Sequence, residues 1–131
     1  MATRHRTAKA LITDLTLDYL EADLAALPAD APAGVCASVG GCLVAAAIAR
    51  AFPRARARVE VDSAGGSVAV LPARPARGRE ATTIPLSTDL DVLASRFDEL
   101  GVPGQAISAT ACLALVRGLL ATREAGGTLR R

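Results

Sequence analysis

The chain has 131 residues, half of them apolar, a net charge of +2, and only Phe52, Phe97 and Tyr19 as aromatics. That length suits one domain burying roughly two thirds of its unfolded surface, with a core built from Leu, Val, Ile and much Ala. With His5 as the single histidine, one chain alone holds no Ser-His-Asp or Cys-His arrangement and no multi-histidine metal site.

Residues 1–7 are polar and expected as a loose tail. From Ala8 to Leu27 the apolar residues Leu11, Ile12, Leu15, Tyr19, Ala22, Ala26 and Leu27 recur at three- and four-residue spacing, which predicts an amphipathic helix. An alternative reading makes Ala10 to Leu15 a strand and starts the helix near Thr16. PADAPAG, residues 28–34, reads as a linker. Ser38 to Ala51 predicts a second helix, capped by Ser38, with Leu43, Ala47 and Ile48 on one face and Pro53 as the stop.

The stretch RARARVEVDSAGGSVAVLP, residues 54–72, predicts a hairpin near 55–71. Arg54, Arg56, Arg58, Glu60 and Asp62 take one beat, and Ala55, Ala57, Val59 and Val61 the other. A four-residue turn, Ser63–Gly66, would set Val61 opposite Val68 and Val59 opposite Val70, with all four valines on the core face. PARPARGREA, residues 72–81, is a basic loop, and Thr82 to Leu86 reads as a third strand confined to an edge by Pro85. Ser87 or Thr88 caps a helix whose Leu90, Leu93, Phe97 and Leu100 keep helical spacing. A last helix, Gln105 to Glu124, is apolar nearly all round. Residues 125–131 read as a second loose tail. The predicted fold is α+β: one domain over 8–124, with a small antiparallel sheet of two or three strands packed with about four helices.

Charge is uneven along the chain. Residues 50–80 hold seven arginines against three acids, while residues 11–49 carry five acids and no base. Arg54, Arg56 and Arg58, with Arg74, Arg77 and Arg79, suit phosphates at intervals along a nucleic acid. The scarcity of aromatics argues against stacked single-strand bases, and Glu60 and Asp62 interrupt the same face. RPARGRE followed by ATTIPLS is loosely similar, over some twenty residues, to the arm and return strand of bacterial histone-like architectural DNA-binding proteins. The glycine-aromatic turn of that family is missing, and no family is assigned from the likeness.

Cys36, Cys42 and Cys112 form no even framework and no CxxC, so free thiols in a reducing cytoplasm are expected. Cys36 reads as a loop residue, and Cys42 and Cys112 as small core hydrophobes; the alternative for Cys36 is a place just before a helix, where a dipole can activate a thiol. GVCASVGG matches no phosphate-loop pattern, and Gly40 and Gly41 read as permitting close helix packing. Asp14, Asp18 and Glu21, like Asp89, Asp91, Asp98 and Glu99, read as solvated faces. The start MATRHRTAKALITDL lacks the apolar stretch of roughly 7–15 residues that a signal peptide needs, and no run is long enough to span a membrane.

These features indicate a small cytosolic, non-enzymatic binding or adaptor protein without cofactor or metal, in the Ala- and Arg-rich vocabulary of a GC-rich bacterial genome. It is expected to form a homodimer through Leu115, Val116 and Leu119 of the last helix, with room for a protein partner. The alternative is nucleic-acid binding by Arg54, Arg56, Arg58, Arg74, Arg77 and Arg79. A thiol-dependent enzyme or small-ligand binder is the third reading.

Overall fold

Thr7 is extended, and its hydroxyl accepts from the Ala10 N–H, so α1 (Ala8–Thr13) begins where a cap is supplied. The structure is a computed structural model that describes residues 5–130. Thr16 repeats the device on the Tyr19 N–H and opens α2 (Leu17–Ala25). The expected single helix over 8–27 is therefore two, and no strand forms at 10–15. A hydroxyl that satisfies an N–H from an extended backbone competes with helix continuation, and Thr16 wins that competition.

The expected linker contains β1 (Pro32–Val35), with Pro32 at its first position, where a missing N–H is tolerated. β1 pairs antiparallel with β5 (Ala106–Ser108), Val35 opposite Ala106. Gly34 is required there. A Cβ would lie 2.8 Å from both the Leu43 nitrogen and the Phe97 ring. The strand can thus be pressed onto the start of α3 (Leu43–Ala51) only at glycine.

The N-cap position of that helix is Cys42, not Ser38, and its side chain makes no capping hydrogen bond. The carbonyl oxygens of Val39 and Gly41 accept from Val59 N–H and Val35 N–H at 2.8 and 2.7 Å, so residues 38–42 serve the strands and leave the helix to start later. Gly40 and Gly41, poor helix formers, sit in this turn and not between two helices.

β2 (Arg58–Val61), β3 (Ser67–Leu71) and β4 (Thr82–Pro85) form an antiparallel meander with β3 in the centre. The hairpin exists, but its register is one residue away from the expected one. Val59 faces Ala69, Val61 faces Ser67, and Glu60 faces Val68. The Asp62 carboxylate accepts from the N–H groups of Ala64 and Gly66, Asp62 N–H bonds Gly66 O, and Gly65 takes φ 87. This makes a three-residue turn with glycine at its left-handed position, where four residues had been expected.

Because side chains alternate, the shift changes the faces. Val59, Ala69 and Ile84 belong to the core, whereas Val68 and Val70 lie outside the contiguous cluster. They share the other face with Arg58 and Glu60, and with Thr83 and Pro85 opposite them on β4. Val61 is 71% exposed. The four valines do not share a face.

α4 (Thr88–Asp98) is capped by Ser87, whose hydroxyl accepts from Leu90 N–H. Asp91 of its first turn accepts from both the N–H and the hydroxyl of Ser67, tying α4 to β3. Residues 106–108, expected as helix, are strand β5. α5 (Ala109–Glu124) starts at Ser108, which caps Ala111 N–H. α5 packs chiefly along α2, and also on β1 and α4.

Phe97, with no exposed surface, sits in the core with Leu20, Leu43, Ile48 and Leu93. Residues at both ends join the body. His5 lies against Asp14 at 3.3 Å and edge-on to Tyr19. Leu129 is buried in the core, and the Arg96 guanidinium donates to Arg130 O. These contacts fall within the expected tails 1–7 and 125–131, of which residues 1–4 and 131 lie outside the described residues. The fold is α+β: among the described residues, five α-helices and two small antiparallel sheets of two and three strands. No helix among them is long and apolar enough to cross a membrane.

A basic groove as the candidate functional site

A concavity of about 1030 Å³ lies where three distant stretches meet. The start of α1 brings Arg6 and Lys9. The end of α3 and the turn after it bring Phe52, Pro53 and Arg54. The end of β3 and the following loop bring Leu71, Pro72, Arg74 and Arg79. Cations form its walls, Phe52, Leu71 and the prolines its apolar lining, and Glu80 is the one acid that borders it.

The loop geometry explains why Arg74 and Arg79 converge. Each donates its backbone N–H to the other's carbonyl, at 2.8 and 3.0 Å. Between them Pro75–Arg77 makes one tight turn, and Gly78 closes it at φ 67. Residues bonded in this way point the same side, so both side chains reach the groove while Arg77 rides the exposed tip. The Arg74 guanidinium also donates to the Arg54 carbonyl, fixing the loop to the turn after α3.

Ion pairing separates these cations from four arginines elsewhere on the molecule. Arg50, Arg58, Arg117 and Arg123 each meet a carboxylate, Asp23, Glu60, Glu21 and Asp89 respectively. Among the described residues, none of Arg6, Lys9, Arg54, Arg74 and Arg79 is paired within 4 Å with an acid. Basic side chains with no acidic partner among the described residues have therefore gathered in one concavity.

Of the six arginines singled out by sequence, the structure brings Arg54, Arg74 and Arg79 together and leaves three outside. Arg56 is exposed and takes φ 53, so the alternating beat breaks before β2 begins. Arg58 lies on the sheet face away from the core, 3.3 Å from Glu60. Arg6 and Lys9 were missed. Their only sequence signal is the basic character of the first ten residues, where Arg6 falls in the expected tail and Lys9 in the expected first helix. In α5, Val116 and Leu119 are consumed by the chain's own core, and of the three residues expected at a dimer interface only Leu115 keeps partial exposure.

Cys42 and Cys112 are core residues, as expected, and Cys36 joins them. Cys36 follows β1 and is buried, with its Sγ donating to Phe97 O at 3.5 Å. It is Cys42 that stands at a helix start. Burial raises its pKa, against the N–H groups of Ala45 and Val44, which favour the thiolate. Burial pushes Cys112 up to about 11, opposed by Arg50 and reinforced by Cys36. Cys42 and Cys112 are therefore neutral thiols at pH 7.

A smaller cleft of about 400 Å³ at the start of α3 is rimmed by Val39 and Val61 and includes Cys42, Glu60 and Asp98. Asp98 there accepts from Ala37 N–H at 2.8 Å and supports that residue's φ of 56. Asp14, Asp18 and Glu21 do not converge, since Asp14 meets His5 and Glu21 meets Arg117. Among the described residues no group of three or more His, Cys, Asp or Glu side chains is assembled as a metal would require. Comparison with protein-family models, curated proteins and solved structures finds no match.

Proposed function

We propose that this is a non-enzymatic binding protein whose basic groove holds an anionic ligand. The observation that carries the reading is the convergence of Arg6, Lys9, Arg54, Arg74 and Arg79, none of them ion-paired among the described residues, on one groove. Cations confined together repel one another, and a bound anion turns that repulsion into attraction. Guanidiniums offer forked donors to phosphate or carboxylate oxygens.

The test is calorimetric titration with inorganic pyrophosphate. Affinity should fall as salt rises from about 0.05 to 0.5 M, and Arg74→Ala/Arg79→Ala should weaken binding at least tenfold. Equal affinity in the variant would remove the groove as the site.

A second reading, binding to a nucleic-acid backbone, is favoured by Arg56 and Arg77. Both are exposed, neither is ion-paired among the described residues, and each is close in sequence to a groove arginine. A generic duplex that binds the wild type and is released by Arg56→Ala/Arg77→Ala would support it. The duplex would have to lose affinity steeply with salt.

A further inference from the structure

The groove has two chemistries, and a ligand that uses both must have two parts. Part of the lining is charged. Arg74 and Arg79 are held face to face by paired backbone hydrogen bonds, and Arg54 and Lys9 border the same space. Like charges directly opposite one another are unfavourable in an antiparallel pair, so the empty arrangement is destabilised where a dianion would be stabilised. Two neighbouring guanidiniums match a tetrahedral group with three oxygens and two charges better than they match one carboxylate.

Other stretches of the lining are apolar. Ala8, Ala51, Phe52, Pro53, Leu71 and Pro72 offer no side-chain donor or acceptor, and Thr7 and Thr82 supply the only uncharged side-chain hydroxyls of the lining. Nucleobase edges and sugar hydroxyls set against Phe52, Leu71 and the prolines would lose water and gain no side-chain partner from them. A single half-buried aromatic, Phe52, offers no stacking platform for successive bases.

We propose that the ligand is a phosphomonoester carried on an aliphatic body, with the phosphate between Arg74 and Arg79 and the chain along Phe52, Leu71 and Pro72. The inference rests on the anion-binding reading of the groove and adds the body to it. The volume, about 1030 Å³, is at the upper end of small-molecule sites, ~300–1,000 Å³, and leaves room for a long chain.

The experiment titrates wild-type protein with inorganic pyrophosphate, adenosine monophosphate, and butyl, hexyl and octyl phosphate. Each methylene added should tighten binding by about two- to fourfold, the upper value holding for complete burial. The Arg74→Ala/Arg79→Ala variant should lose at least tenfold for every alkyl phosphate while the dependence on chain length persists. Vesicles containing phosphatidic acid separate the sources: sedimentation with them assigns a membrane lipid, and binding of the free alkyl phosphates alone assigns a soluble one. Either supports the ligand class. A flat series, or adenosine monophosphate binding as tightly as octyl phosphate, would overturn the inference while pyrophosphate binding kept the groove as an anion site. Failure of every anion would remove both.

Discussion

Arg79→Glu should make the protein more stable while abolishing anion binding. In the native chain Arg74 and Arg79 are opposite partners of a two-bond bridge, and five cations face one acid, Glu80, around the groove. The substitution leaves four cations against two acids and turns a repulsive cross-strand pair into an attractive one. Two unit charges roughly 6 Å apart in water interact by about 0.7 kcal/mol, in line with the range of about 0.2–1 kcal/mol measured for cross-strand pairs. Reversing the sign doubles the change, and the exposure of both side chains returns part of it to solvent screening. A gain of about 1 kcal/mol at low ionic strength remains, equivalent to roughly 3–5 °C in Tm for a chain of this size. The assay is thermal unfolding of wild type and variant at low salt and at about 1 M NaCl, where the Debye length is near 3 Å and the gain should shrink to a few tenths of a kcal/mol. A variant that melts at or below wild type in low salt would refute the electrostatic account. So would a gain that survived 1 M salt unchanged.

The hairpin register predicts that Val61→Asp, at an exposed position, changes stability by under about 0.5 kcal/mol, while Val59→Asp, buried on the core face, costs several kcal/mol. Urea unfolding of the two variants decides it, and similar midpoints would mean the faces are misassigned. The Cys112 thiol, raised by burial to about 11 from 9.0, is held neutral in the folded chain while the unfolded chain can ionise. Stability from this group is complete below about pH 9 and is lost as pH rises toward about 11. Cys112→Ala should flatten that alkaline decline in a series of melts from pH 7 to 11, and an unchanged slope would show that the thiol does not titrate in this window.

Local chemistry made much of the fold legible. The hydroxyl cap at Ser87, the spacing of Leu90, Leu93 and Phe97, and the alternation from Val59 to Val70 each act within a few residues. The α+β class and the meander with Pro85 at an edge follow from them. Features decided by competition between distant segments were not legible. The carbonyls of Val39 and Gly41 could extend α3 or serve two strands, and only the packed molecule shows that the strands take them. β1 and β5 are short and stabilise each other across some seventy residues of intervening chain, so neither carries a signal of its own.

The candidate site divides along the same line. Sequence alone determined that the middle of the chain is rich in arginine, that histidine is confined to one position, and that aromatics are scarce. It could not tell a paired arginine from an unpaired one, because Arg50 meets Asp23 and Arg117 meets Glu21 only through helix packing. The tertiary structure brought Arg6 and Lys9 to Arg54, Arg74 and Arg79 and left Arg56 and Arg58 behind. Charge is written residue by residue, but an electrostatic field depends on distance, and distance is set by the fold.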